Sequence, residues 1–582
     1  MQTLHIVCFS PVSPTCLNMP GRSLSLGFPR TARRRRSVRS DPQAEPPPSG
    51  ADMALTRLEK VQVWLLKAAT GVLFALFRLL SPGGGAPAGR RKLPPVSSPL
   101  LLMSATRLAN KIRRKEVSSV EVVRAYIHRI QEVNPFLNAV TKDRFDAALQ
   151  EAKQVDVLIE EETGGEAVLE DRLPLLGVPL SVKESFALQG MPFTCGVVSR
   201  KGVVATVDAP PVALLKRAGA IPMGVTNTSE LCMWCESNNH LHGITNNPYD
   251  FDRIPGGSSG GEGSILGGAG AVIGVGSDIG GSIRMPCFFN GIFGHKTTPG
   301  VVSIENQFPV CSGRQAEFCS SGPMCRYAED LLPMLRIMAG PNAGMLSLNT
   351  KVDLKKLRFF TIPHDGGSPM TSPVSKELMA VQRKVAQRLE ADLGVTVQEV
   401  HFPEFRYGFQ IWDTYMGLPD KEGKLPTPFV ELMGEPGKST WPFWELLKRM
   451  VGKSDHTVAA IGLALLEKAH VTEPSAFIIQ QKERLQKNMD ELLGTDGVFL
   501  YPSHPRVAPK HHHPLFRPAD CAYTGIINML GLPVTQCPLG LGEEGLPLGV
   551  QVGAGKLQDH LTLEVALYLE KTFGGWRDPG AN

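Results

Sequence analysis

The apolar residues Val120, Val123, Ile127, Ile130 and Val133 recur every three or four positions, with charged and polar residues between them. This spacing lines one face of an α-helix. Ser118 ahead of the run and Glu121 three residues on make a capping box, so the helix is expected to begin there and to stop at Asn134-Pro135. Farther along the period changes. Leu173 to Val182 (LPLLGVPLSV) is a short apolar, branched run bounded by Gly and Pro, which predicts a buried strand. VFLYPS, from Val498 to Ser503, reads as a late buried strand, and His560 to Lys571 as a late helix. Strand-like and helical segments alternate without a fixed repeat, and the pattern predicts an α/β domain over residues 101–578.

One segment is apolar all round. Val61 to Leu80 (VQVWLLKAATGVLFALFRLL) has the length of a membrane span, and Lys67 and Arg78 can reach headgroups on their long stems. We read 53–80 as a membrane anchor, preceded by a basic, Pro-rich extension over 1–52 and followed by a Gly- and Pro-rich linker over 81–100. Two alternatives stay open: a packed amphipathic helix, and a signal peptide starting at Met53, for which Ala86-Pro87-Ala88 imitates a cleavage site. Basic residues flank both ends, so the positive-inside rule does not orient the segment.

Composition narrows the classes further. With 42% of its 582 residues hydrophobic and 20% charged, the chain can bury a large core and is neither disordered nor coiled-coil-like. Its net charge of +5 is uneven: seven Arg against three acids in residues 1–52 account for +4, and the near-neutral remainder disfavours a nucleic-acid partner. Arg33 to Arg36 read as a solvated tail. Eleven scattered cysteines make no disulfide framework, which favours a reducing compartment. Cys232 and Cys235 read as packed thiols and His511 to His513 as a loop; no metal and no cofactor is expected.

Lys183 ends the buried-looking GVPLSV run, where an ammonium is out of place. Apolar surroundings are what a lysine of ordinary pKa, about 10.4, needs to act as a base near neutral pH. Alternation along the strand sends Glu184 to the opposite face. Two glycine-rich loops supply hydroxyls. PGGSSGGEG (Pro255 to Gly263) carries Ser258 and Ser259; GVGSDIGGSIRMP, from Gly274, carries Ser282 behind two glycines, where successive amides can converge on negative charge. Lysine, bridging serine and nucleophilic serine make a Ser-Lys variant of triad logic. The rival is an α/β-hydrolase-type lipid esterase with Ser258 as nucleophile, since Gly256 to Gly260 matches G-x-S-x-G, although the polar NNPYDFDRIP ahead of it does not read as the strand such an elbow needs. A non-catalytic membrane scaffold, the second rival, would lack one of the three residues.

In this order GVPLSVKE, GGSSGGEG and GSDIGGSIRMP resemble the amidase signature family, and the likeness extends from about Leu102 to the C-terminus through TNTSELCMW, GIFGHK and GLPLGVQ. The resemblance implies a large mixed, twisted β-sheet surrounded by helices, and a triad in which Ser282 is the nucleophile, Ser258 the bridging serine after a cis Gly257–Ser258 bond, and Lys183 the base. It implies an oxyanion hole from the amides of Ile279, Gly280, Gly281 and Ser282. Ser259, Asp278 and Arg284 are expected to support these loops, the last two as an ion pair. Implied substrates are fatty-acid amides, both primary amides and N-acylethanolamines, cleaved to fatty acid and ammonia or amine. The implied setting is a membrane or lipid-droplet surface, at the endoplasmic reticulum or on the droplet itself, with a homodimer compatible. The aromatic stretch from Tyr407 to Val451, which holds Trp412, Trp441 and Trp444, reads either as packed surface helix or as a membrane-facing cap.

Overall fold

The computed structural model describes residues 92–581 apart from 436 and 470–474. The extension over 1–52, the anchor at Val61 to Leu80 and most of the linker lie outside these. Among the described residues no helix is long and apolar enough to cross a membrane.

The first amphipathic helix, α1 (Ser119–Leu137), starts as expected. Ser118 Oγ accepts the Glu121 amide at 3.1 Å, and Glu121 Oε2 accepts the Ser118 amide at 2.9 Å. It does not stop at Asn134-Pro135. A proline in the last turn removes a single amide donor, and left-handed Asn138 closes the helix by donating to the Asn134 carbonyl at 2.8 Å. The strand expected over Leu173–Val182 is likewise confined to its second half. Gly177, at φ +73°, turns the chain against α1, where a Cβ would lie 2.7 Å from Ser119 Oγ.

The strands are β1 (Val140–Asp143), β2 (Pro179–Lys183), β3 (Ile221–Thr226), the short pair β4 (Asn238–Asn239) and β5 (Gly243–Ile244), β6 (Ile273–Asp278), β7 (Phe293–Lys296), β8 (Ser320–Cys325), β9 (Arg358–Thr361), β10 (Val397–Glu399), β11 (Gly497–Tyr501), β12 (Val534–Leu541) and β13 (Pro547–Ala554). All but the short pair join one mixed sheet in the order β1-β3-β2-β6-β8-β7-β12-β13-β11-β9-β10. Within it β2 lies parallel to both β3 and β6. The register Leu180 to Ile273 and Val182 to Val275 brings the carboxyl ends of β2 and β6 level. Crevices outside such strand ends are where open α/β sheets bind ligands.

Helices pack around the sheet. α2 (Gly260–Gly267) lies against β2 and β6, and α3 (Arg284–Phe289) against β7, β12 and β13. α4 (Gly408–Met416) precedes α5 (Pro442–Met450) and packs on α6 (Ala522–Leu530), while α7 (Asp559–Phe573) covers β12 and β13. One apolar core with members from Leu93 to Leu569 runs through these layers, and a smaller cluster joins Phe429, Met433 and Ala464 to Val197 and Leu231. The late strand and late helix read from the sequence are β11 and α7.

Candidate active site

Lys183 is fully buried at the end of β2. Its Nζ lies 2.7 Å from Ser258 Oγ, on the loop before α2, and 3.0 Å from Ser277 Oγ, on β6. Ser277 is a partner that the sequence pattern does not disclose. The Gly257–Ser258 bond is cis. The Ser258 carbonyl accepts Thr228 Oγ1 at 2.9 Å and Ser237 Oγ at 3.2 Å, and Gly257 fits only without a side chain, since a Cβ would lie 2.3 Å from the Trp234 carbonyl oxygen. Irregular backbone, not a strand, leads into Ser258, so the elbow required by the esterase reading is missing.

Ser282 lies on the loop joining β6 to α3. No hydrogen bond links its hydroxyl to that of Ser258; the two loops meet instead through the Ser259 amide, which donates to the Ser282 carbonyl at 3.3 Å. Asp278, the last residue of β6, organises this loop. Its carboxylate accepts the amides of Gly281 at 2.8 Å and Ile283 at 3.0 Å and the Asn528 side-chain amide at 2.9 Å. It pairs with Arg284 through Nη2 at 2.9 Å and Nε at 3.1 Å, both side chains being wholly buried. Burial by itself would raise the Asp278 carboxyl, but the Arg284 guanidinium outweighs it and holds the group well below the usual carboxylate range. The expected ion pair is therefore an interior one.

The Gly281 amide is committed to Asp278, an ionised and hence strong acceptor. Of the four amides read as an oxyanion hole, those of Ile279, Gly280 and Ser282 have no acceptor in the described chain.

Glu184 turns away from Lys183 as alternation requires, accepting the Thr194 amide at 2.8 Å, its hydroxyl at 2.6 Å and the Cys195 amide at 2.7 Å. Cys232 packs against Cys195, with 3.3 Å between sulfurs. Lys296 at the end of β7 is pushed down to about 7 by burial, with Arg284 adding to the shift. Glu262 in α2 accepts Ser181 Oγ at 2.6 Å and Thr226 Oγ1 at 2.7 Å, and burial pushes it up to about 7 against those donors. A carboxyl raised from 4.5 in this way contributes stability that is complete below pH 4.5 and lost as pH rises through about 7. Glu262→Gln, which stays neutral, is expected to flatten part of the fall in thermal midpoint between about pH 5 and 8. An unchanged slope would show that Glu262 keeps no proton on folding.

Residues 121–563, which enclose this whole arrangement, match the family model described as Amidase. The chain belongs to the amidase family. It is an amide-cleaving hydrolase. This amidase is similar to fatty-acid amide hydrolase 2-B of Danio rerio, 69% identical over 528 residues that cover 91% of this chain and 100% of that protein. It is also similar to fatty-acid amide hydrolase 2 of Homo sapiens, 54% identical over 531 residues covering 91% and 100%. Among solved structures, a fatty acid amide hydrolase (TM-score 0.64, 22% identity, 88% of this chain and 91% of that one) and 6-aminohexanoate cyclic dimer hydrolase (TM-score 0.64, 24% identity, 83% and 99%) share its fold. The mixed sheet surrounded by helices is thus the amidase architecture.

Proposed function

We propose that this amidase hydrolyses long-chain fatty-acid amides through Ser282, Ser258 and Lys183. The observation that carries the reading is the 2.7 Å contact between Lys183 Nζ and Ser258 Oγ in a fully buried position beside the Ser282 loop. In its neutral form the Lys183 amine accepts the Ser258 proton while Ser258 takes that of Ser282. Ser282 Oγ then bonds to the amide carbon, and the carbonyl oxygen becomes an oxyanion facing free backbone amides. Collapse breaks the C–N bond, and the relay returns the proton to the leaving nitrogen. Water, deprotonated by the same route, cleaves the Ser282 ester to release the acid. The Ser258–Ser282 contact that this relay needs forms with substrate bound, since such bonds are commonly long in unliganded enzymes.

Two observations support a lipid substrate. The similar proteins of Danio rerio and Homo sapiens are named for fatty-acid amides. In addition, α5 and its flanks hold apolar side chains in water: Trp441 is 64% exposed and Trp444 52%, with Phe443, Leu447 and Met450 beside them. Trp412 in the same aromatic stretch is half-buried and packs against the core, so the stretch divides between core and surface. Burying two tryptophans in a lipid surface stabilises binding by a few kcal/mol, and Lys448 and Arg449 suit headgroups. With Val61 to Leu80 as anchor, the enzyme works at a membrane or lipid-droplet surface, on primary amides and N-acylethanolamines.

The test uses long-chain amides in vesicles and a short soluble amide. The parent is expected to release fatty acid and amine from both. Trp441→Ser combined with Trp444→Ser is expected to lose vesicle turnover by about tenfold or more, as a loss of about 1.4 kcal/mol per decade implies, while sparing the soluble amide. Equal loss on both substrates, or a parent inactive on long chains, would overturn the reading.

A further inference from the structure

Every carbonyl from Asp278 to Ser282 is held from behind. Asn528 Nδ2 donates to the Asp278 carbonyl at 3.1 Å, the Trp412 indole N–H to that of Ile279 at 3.0 Å, and Thr524 Oγ1 to that of Gly280 at 2.7 Å. The Met285 amide takes the Gly281 carbonyl at 2.8 Å and the Ser259 amide that of Ser282 at 3.3 Å. In a planar trans peptide the C=O and the following N–H point in opposite directions. Fixing a carbonyl therefore aims the next residue's amide the other way: Asn528 aims Ile279, Trp412 aims Gly280, and Thr524 aims Gly281. The last of these points at Asp278, which closes the Gly280–Gly281 peptide between a hydroxyl and a carboxylate.

The packing is as specific as the bonds. A Cβ on Gly280 would lie 3.1 Å from the Trp412 indole nitrogen, and one on Gly525 of α6 3.0 Å from the same ring, so the indole is seated between two glycines. A Cβ on Gly281, at φ +121°, would fall 2.1 Å from Thr524 Oγ1. The Gly281 contact is closer than a side chain tolerates, and those at Gly280 and Gly525 would each force the indole to give way.

We propose that Trp412 and Thr524 are positioning residues for amide hydrolysis: Trp412 aims the Gly280 amide into the oxyanion hole, and Thr524, opposite Asp278, fixes the Gly280–Gly281 peptide that lies between the Gly280 and Ser282 amides. This rests on Ser282 being the nucleophile. Neither residue touches the reacting atoms; Trp412 holds the far side of the peptide that carries the Gly280 donor, and Thr524 the far side of the peptide next to it, so both fix where the transition-state charge is met. Thr524 has one hydroxyl proton and two carbonyls in reach, Gly280 at 2.7 Å and Cys521 at 2.9 Å. The proposal assigns it to Gly280.

Thr524→Val keeps the shape and removes the hydroxyl, Thr524→Ser keeps the hydroxyl, and Trp412→Phe keeps a ring without the N–H. On a short soluble amide, kcat is expected to fall about tenfold in Thr524→Val and in Trp412→Phe, a fraction of the 10²–10³ that deleting a donor costs. KM and the thermal midpoint should stay near the parent's. Thr524→Ser is expected to recover most of kcat. Affinity for a trifluoromethyl ketone, which adds to the serine as an anionic hemiketal, should drop by the same factor as kcat. Unchanged kcat in Thr524→Val, a KM effect alone, or Thr524→Ser as slow as Thr524→Val would overturn the proposal. Mass mapping of a fluorophosphonate adduct separates the two layers. An adduct away from Ser282 removes the underlying reading, whereas one on Ser282 with kcat unaltered removes only the positioning role.

Discussion

Ser282→Ala is expected to leave a folded protein whose amide hydrolysis has fallen by about 10⁴-fold or more, the scale seen when a nucleophile is removed from a serine hydrolase. Folding survives because what Ser282 contributes to packing is backbone: its carbonyl takes the Ser259 amide, and its hydroxyl is joined to neither Ser258 nor Lys183. Ser258→Ala leaves the nucleophile and removes the bridge, so its loss should be smaller, about 10²–10³, in the range of a positioned acid–base group. Lys183→Ala is different again. It strips the buried hydroxyls of Ser258 and Ser277 of a partner and should cost stability as well as rate. Steady-state rates on a soluble amide, set beside thermal midpoints for the three variants, would show this ordering. Ser282→Ala within tenfold of the parent, or an adduct on Ser258, would restore the esterase-like assignment.

The largest effect on stability is expected from Asp278→Ala. Removing one partner of a buried ion pair typically costs 3–5 kcal/mol, because the other charge is left without compensation. Here Arg284 is wholly buried, and the amides of Gly281 and Ile283 lose their acceptor too. Arg284→Met should cost less, since the remaining carboxylate keeps those amides and Asn528. The sign with pH is also determined. Asp278 is depressed, so its contribution is present above the ordinary carboxylate range and is lost only as pH falls well below it. Between about pH 5 and 8 Asp278 is therefore constant, while Glu262 withdraws stability across the same window. Denaturant unfolding at pH 5 and pH 8 would check both. An Asp278→Ala variant within about 1 kcal/mol of the parent would mean that the pair is not what holds the loop.

Much of this is legible in the linear chain. The capping box at Ser118, the buried run ending in Lys183 and the two glycine-rich loops are local patterns, and local patterns report backbone shape and burial. Gly257 and Gly281 belong to the same class: each has no room for a Cβ, and each is the second glycine of a Gly-Gly-Ser stretch, which is how the sequence records that. The family likeness rests on these stretches and extends through most of the chain.

What the linear pattern leaves blank is the partner of each polar group. Lys183 reaches Ser277 across 94 residues, Trp412 reaches Ile279 across 133, and Thr524 and Asn528 reach the same loop across 244 and 250. Nothing in α4 or α6 taken alone marks Trp412, Thr524 or Asn528 as facing a loop so distant in sequence. The end of α1 shows the same division at small scale, since the proline was visible while the Asn138 closure was not. So the sequence by itself determined which segments are buried, where glycine is obligatory and which groups can carry the chemistry. Sheet order and helix docking decided which distant side chains hold the carbonyls of the Ser282 loop. Periodicity is a property of neighbours along the chain, whereas a hydrogen bond depends on neighbours in space.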